Sequence, residues 1–501
     1  MPSRRRKRLA LGALAAVLGF AGLLCARAAT LESKQPKVAP LPPVAVDGEA
    51  VAKILGKALA RKTVSTSVDA PAPASELEGL HADLEAAFPK LHAALKKEKV
   101  EGLSLLYTWQ GSDPSLAPII LCAHQDVVPI EPGTEGAWTH PPFDGLVDGG
   151  FVWGRGALDD KGSLVTILAA VEMLLGEGMK PARTVYLAFG HDEEITGKKG
   201  AAKLAELLAS RNVKAEMALD EGSALVEGVV TDVPAPVAAI GIAEKGYVSV
   251  DLTVELPGGH SSTPAPENAL TVLARAVERV REAPMPARID GATGEFFAWA
   301  APEMPFGLKV ALANRFVTGP LLERKLGASQ TLGASIRTTT APTMFHAGVK
   351  DNVVPAKASA TINFRVLPGD TTEGVVAHVT RAVSDPRVVV AAQEPSRTEP
   401  SPVSRSGSRA FGLLAETVRE VFPGTVVAPS LVLGATDGRW YTSVAADVYR
   451  FLPFRLTPAD IARIHGKDER LAVSSVVDGV RFYRRLLERA SAAASPPRAS
   501  Y

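Results

Sequence analysis

Apolar positions recur along this chain with two different spacings. From residue 46 to about 100 they return at helical intervals, as in Leu80, Leu84, Phe88, Leu91 and Leu95, which predicts helices in need of a sheet to cover. Short β-rich apolar runs follow at 103–109 (LSLLYTW), 118–123 (PIILCA), 184–189 (TVYLAF) and 215–219 (AEMAL), each of strand length. Helical spacing over 163–176 and 200–210 separates them, and this alternation predicts an α/β layer fold. From about residue 244 the texture changes to a strand (YVSVDLTVEL), a Gly-His-Ser-Ser turn, a helix over 267–282, a strand (ASATINFRVL), a helix over 372–384 and a strand (RVVVAA). These predict an inserted α+β unit. Its segment 285–345, which contains APEMPFGLKVALANRF, is rich in apolar residues and reads equally as a cover for a greasy substrate group or as lid core. After a polar stretch at 394–408 the helical and strand patterns resume to about 490.

The first 28 residues stand apart. RRRKR at 4–8, an apolar run at 9–26 and the small-x-small site Ala26-Arg27-Ala28 describe a secretory signal peptide. An uncleaved membrane anchor is the rival, since 18 apolar residues lie near the short end of a bilayer span. Either way the body is exported, periplasmic or secreted. A lipoprotein signal before Cys25 fits less well, because Leu24 is too large for such a site. Residues 31–47 (LESKQPKVAPLPPVAVD) read as a Pro-rich tether. The expected division is a leader at 1–28, a linker at 29–45, a catalytic domain at 46–243 and 394–490, a lid or dimerisation domain at 244–393 and a disordered tail at 491–501.

With 501 residues, 46% hydrophobic and 22% charged, two or three structural units are expected. Lys plus Arg number 55 against 54 Asp plus Glu, so no global field recruits nucleic acid. Two cysteines, Cys25 and Cys122, exclude a disulfide framework.

The chemistry gathers at the ends of the expected strands. His124 and Asp126 flank Gln125, and residues two apart in extended chain point the same way; one can ligate a metal while the other orients it. GRGALDDKG (154–162) sets two aspartates in a Gly-rich turn, where one carboxylate could bridge two cations; it lacks the spacing of a phosphate loop. GHDEEITG (190–197) crowds Asp192, Glu193 and Glu194, an arrangement that repulsion disfavours without a compensating cation or proton. Asp220 in ALDEG and His465 in IHGKDER complete three carboxylates and two imidazoles, a donor set suited to a pair of borderline cations.

Taken in order, HQDVVP, WTHPPF, WGRGALDDKG, DEE, LDEG, GGHSSTP, NVVP, GATDGR and IHGKDER resemble the zinc exopeptidase family M20, in its branch of carboxypeptidase S and N-acyl-amino-acid hydrolases and synthases, over residues 46–488. The resemblance implies a zinc-exopeptidase α/β fold, a mixed sheet with helices on both faces, carrying an inserted lid or dimerisation domain. It implies two Zn2+, with Co2+ or Mn2+ able to share such ligands: His124 and Asp220 on one, Glu194 and His465 on the other, Asp159 between them and Asp126 behind His124. The Asp159-Asp160 bond would be cis. Glu193 matches the general base, which takes a proton from the attacking water and returns it to the leaving nitrogen.

His260 matches a lid histidine aimed at the oxyanion, and Asn352 and Arg365 match residues that hold a substrate carboxylate. Thr436, Asp437 and Arg439 of GATDGR help shape the substrate end. The expected partner is a small peptide or N-acyl amino acid, with the chain monomeric or dimeric through its lid. A non-catalytic binding protein on the same scaffold predicts losses among these residues, and none is lost.

Overall fold

The computed structural model describes residues 2–42, 44–230, 232–394 and 397–491, with the backbone alone for residues 2–7. The chain divides into two units. The larger is built on an eight-stranded sheet in the order Lys96–Val100, Ser104–Trp109, Val185–Gly190, Ile119–His124, Ala215–Val226, Ala445–Leu456, Val237–Glu244 and Val426–Val432. Among its first three strands each is antiparallel to the next, and its centre is parallel.

Alternation along a strand sends neighbouring side chains to opposite faces, and here both faces are apolar. Ile120, Cys122, Leu106 and Ala188 pack with Leu204 and Leu208 of the helix Ala201–Ser210. Ile119, Leu121, Leu187 and Phe189 point the other way and are equally buried. A sheet buried on both sides is what the near-continuous apolar strands anticipate. The helix Lys161–Gly176 is buried at every position from Lys161 to Val171 because it lies against the helices Val473–Ser491 and Gly48–Leu59 as well as the sheet strand Ile119–His124.

Two expectations differ in detail. The apolar series through Leu95 is two helices, Ala74–Ala87 and Pro89–Ala94, because Pro89 starts a new helix at its first position and cannot continue the previous one. The strand expected over 215–219 runs on to Val226, held by pairing with Ala445–Leu456.

The smaller unit contains Lys245–Pro400. A four-stranded sheet in the order Thr339–Ala347, Lys357–Val366, Gly246–Glu255 and Val388–Ala392 buries Val248, Val250, Leu252, Ile362 and Phe364 against the helices Ala269–Glu282 and Thr372–Val383. A reciprocal cap between Asn268 and Thr271 starts the first of these helices. The apolar segment 285–345 forms the helices Gly291–Ala300, Phe306–Ala313, Arg315–Gly327 and Gln330–Ile336.

The N-terminal helix Pro2–Ala29 belongs to this smaller unit. The expected tether is therefore docked at its start: Ser33 Oγ donates to Glu303 at 2.5 Å and Gln35 Nε2 to the Trp299 carbonyl at 3.5 Å. Residue 491 closes the last helix, and the rest of the expected tail lies outside the described residues.

Candidate metal centre

His124 closes the strand Ile119–His124 and is almost wholly buried. Its Nδ1 lies 2.9 Å from the backbone carbonyl of Asp126 and its Nε2 2.8 Å from Asp159 Oδ1. A proton on Nδ1 donated to that carbonyl leaves Nε2 as the ligating nitrogen. The Asp126 carboxylate also stands behind the ring, 3.6 Å from Nδ1, and has a second task. Its Oδ1 accepts from Glu193 N at 3.1 Å and its Oδ2 from Glu194 N at 3.3 Å, so one residue holds the imidazole with its carbonyl and the acidic turn with its side chain.

Gln125 between them is a buried strut. Its Nε2 reaches the carbonyls of Leu103, Phe189 and Gly190 at 3.2, 3.0 and 3.2 Å. Its Oε1 is thereby left to accept from His81 Nε2 at 2.7 Å. Burial lowers the His81 pKa to about 4, and its Nδ1 has no partner among the described residues that could receive a second proton.

Glu193 and Glu194 open the 3-10 turn Glu193–Ile195. Burial pushes the Glu193 carboxyl well above the usual carboxylate range, with the His124 charge opposing. The Asp159-Asp160 peptide is cis, as the resemblance implies. Asp159 faces two imidazoles: Oδ1 meets His124, and Oδ2 lies 2.9 Å from His465 Nε2, itself 3.6 Å from Glu194 Oε2. His465 sits in a loop at φ +60°, half exposed.

The structure brings together two donor sets that share Asp159. One is His124, Asp159 and Glu221; the other is Asp159, Glu194 and His465; Glu193 groups with His124 and Glu194, and within each group the donor atoms lie inside 4.8 Å of one another. Asp220, expected as a ligand, belongs to none of these groups among the described residues. Because the strand continues through this position, Asp220 and Glu221 project to opposite sides. Asp220 turns toward Thr436 and Arg450, and Glu221 is the one that groups with His124 and Asp159.

The GATDGR residues are placed in the same unit but inside it. Thr436 is buried, and its N and Oγ1 both donate to Glu244 Oε2 at 3.0 Å, an oxygen shared with Arg450 Nε at 3.0 Å. Asp437 is buried against Gly190 and Gly197. Arg439 Nη2 donates to the Thr196 carbonyl at 2.8 Å, bracing the turn that carries Glu193. Arg439 and Asp437 thus lie against the acidic turn and its flanking glycines, while Thr436 is tied to Glu244.

His260, Asn352 and Arg365 lie in the smaller unit. His260 pairs with Val353 in a two-stranded ribbon, and Ser261 N donates to the Asn352 carbonyl at 3.2 Å, so the fold brings His260 and Asn352 together. His260 is exposed, with Nδ1 2.7 Å from Ser262 Oγ. Arg365 stacks over Tyr247, its guanidinium carbon 4.9 Å from the ring centre.

The family model described as peptidase family M20/M25/M40 matches residues 120–489. The chain belongs to this family. It is 39% identical to the probable carboxypeptidase S-like 2 of Dictyostelium discoideum over 482 residues, 94% of this chain and 92% of the relative. It is 40% identical to the N-fatty-acyl-amino acid synthase/hydrolase PM20D1 of Mus musculus over 416 residues, 82% of each. The fold is that of the M20 metallo-carboxypeptidase Sso-CP2 from Sulfolobus solfataricus, with a TM-score of 0.63 at 18% identity over 90% of this chain and all of that one. As an M20 member the chain is an enzyme, a metallopeptidase or amidohydrolase, and the family implies a divalent metal, usually zinc.

The donor set of this M20 chain fits such a metal. Four carboxylates and two imidazoles converge, and Asp159 turns one oxygen to each imidazole. Four contributors escaped the sequence reading. Glu221 adjoins a motif that was recognised. Gln125 sits between two recognised residues and His81 on a helix far from them. Glu469 is buried four residues after His465; its Oε1 accepts from Leu158 N at 2.8 Å and Asp159 N at 3.3 Å, and its Oε2 from Arg155 Nη1 at 2.6 Å. Arg155 Nη2 in turn donates to the His465 carbonyl at 3.1 Å, which ties the two loops of the centre to each other. Only its place in IHGKDER could have pointed to it.

Proposed function

We propose that this chain is an exported dinuclear zinc hydrolase that cleaves an amide bond next to a free carboxylate, in an N-acyl amino acid or at the C-terminus of a peptide. The observation that carries the reading is the Asp159 carboxylate presenting one oxygen to the His124 and Glu221 set and the other to the Glu194 and His465 set. His124, Glu221 and Asp159 would hold one ion, and Asp159, Glu194 and His465 the second. Bound there, zinc supplies a Lewis acid for the amide carbonyl and acidifies water.

Glu193 is the proton carrier. Its carboxylate takes a proton from the attacking water, a C–O bond forms at the amide carbon, and the same carboxyl returns the proton to nitrogen as the C–N bond breaks. Asp126 keeps Glu193 in place through its backbone N–H. His260 supplies a donor toward the developing oxyanion, and Asn352 and Arg365 bind the carboxylate.

Acyl substrates are supported by the relatives named as fatty-acyl-amino acid hydrolases, peptides by those named carboxypeptidase S-like. A hydrolysis screen varying acyl length against amino acid, with products identified, separates them. Glu193→Gln is expected to lower kcat by about 10²–10⁴-fold with both metals still bound; full activity in that variant would overturn the mechanism.

A further inference from the structure

The N-terminal helix carries a stretch, Arg8–Ala29, of 22 residues that is long and apolar enough to cross a membrane; its most apolar window has a mean hydropathy of 2.3, and none of that window is buried. At 1.5 Å per residue it spans about 33 Å, the thickness of a hydrocarbon core. Its last turns are engaged by the smaller unit. The Leu24 carbonyl accepts from Asn314 Nδ2 at 3.0 Å, the Arg27 guanidinium lies 5.2 Å over the Phe316 ring, and Ala28 is fully buried.

Asn314 and Phe316 belong to the join between the helices Phe306–Ala313 and Arg315–Gly327. These helices expose Phe306 (53%), Phe316 (66%), Val317 (46%) and Leu321 (69%). Phe316, Val317, Pro320 and Leu321 fall at i, i+1, i+4 and i+5, one face of the helix. Exposed Arg315, Arg324 and Lys325 flank it. In the larger unit exposed bulky apolar residues stand far apart in sequence, as at Val68, Leu146, Val403 and Ile461, and the smaller unit has a second exposed group at Met344, Phe345, Val349 and Val353; what sets the 306–321 group apart is that the apolar N-terminal helix ends on it.

We propose that the helices Phe306–Ala313 and Arg315–Gly327 are a bilayer-docking surface, seated in the headgroup boundary of the membrane that the N-terminal helix enters. The occupant follows from continuity. An apolar helix of membrane length ends on this surface, so the residues around its last turn stand where hydrocarbon gives way to headgroups. Aromatic and aliphatic side chains suit that depth, and Arg27, Arg315, Arg324 and Lys325 are placed to meet lipid phosphates. The RRRKR run at the far end of the helix orients the body to the non-cytoplasmic side. The inference is independent of the catalytic reading.

The test uses the full chain in vesicles of mixed zwitterionic and anionic phospholipid. In a Cys25→Ser background, spin labels are placed at Phe316→Cys, Leu321→Cys and, as a control on the exposed strand residue, Lys357→Cys, with unchanged thermal melting as the check on folding. Labels at 316 and 321 are expected to show an oxygen-to-nickel-chelate accessibility ratio several-fold above that at 357. Ratios at 316 and 321 equal to that at 357 would overturn the proposal. So would shielding of both labels from both reagents, the mark of a second copy of the chain. Mass analysis of the chain from its native membrane fraction is expected to show an intact N-terminal helix; a soluble chain beginning near Ala29 would overturn the proposal as well.

Discussion

His124 and His260 are both expected to serve one reaction, yet the two units hold them in opposite ways. His124 is buried and bonded at both ring nitrogens, and its neighbours Gln125 and Asp126 are braced by further bonds to backbone. His260 is exposed, and the hydrogen bonds of its ring among the described residues are to Ser262, two positions away. Groups that must hold a cation before substrate arrives need a geometry made by folding, because each donor misplaced costs affinity. A group that acts once substrate is present can take its final position from the substrate.

The comparison can be broken at several strengths. The largest effect is expected at Glu221. Glu221→Ala should lose bound metal and at least about 100-fold in kcat, the scale of a lost charge-stabilising interaction, whereas Asp220→Asn should keep its metal and most of its rate. Metal analysis beside steady-state kinetics decides, and the reverse pattern would return the ligand role to Asp220. His260→Ala should cost about 100-fold in kcat with metal content unchanged; a fall in metal content would place it with the rigid set.

Glu469→Gln removes the charge that steadies both the Asp159 turn and the His465 loop. Metal affinity should weaken by about tenfold or somewhat more, read by competition with a chelator, while secondary structure is retained. The smallest effect concerns His81. Its folded pKa of about 4 lies below the unfolded value near 6.5, so between these limits the unfolded chain binds more protons. Stability should therefore be full above about pH 6.5 and fall as pH drops toward 4, by about 3 kcal/mol at most. Denaturant titrations across this range should lose that part of the slope in His81→Gln, which cannot protonate but still offers a donor to Gln125.

How much of this could be read beforehand depended on how local each signal is. The strands Ser104–Trp109 and Ile119–His124 announced themselves because both faces are buried and the apolar runs are short. The break at Pro89 was also present in the residues, but the apolar spacing on either side masked it. The helices between 285 and 345 remained unassigned because an apolar segment whose faces partly stay exposed carries no clean periodicity. Glu469 and His81 were invisible for a different reason: each is one polar residue among many until the chain brings it against Asp159 or Gln125.

The residues alone determined the layer fold, the inserted unit, the family and the presence of His124, Asp126, Asp159, Glu193, Glu194 and His465 at strand ends and loops, since periodicity and motif order are properties of the chain. The tertiary structure decided what depends on direction. Extending one strand past residue 219 turned Asp220 inward and Glu221 toward His124. Closing two distant loops made Asp159 face two imidazoles at once. Direction belongs to backbone pairing across the sheet, and a one-residue step along a strand reverses it.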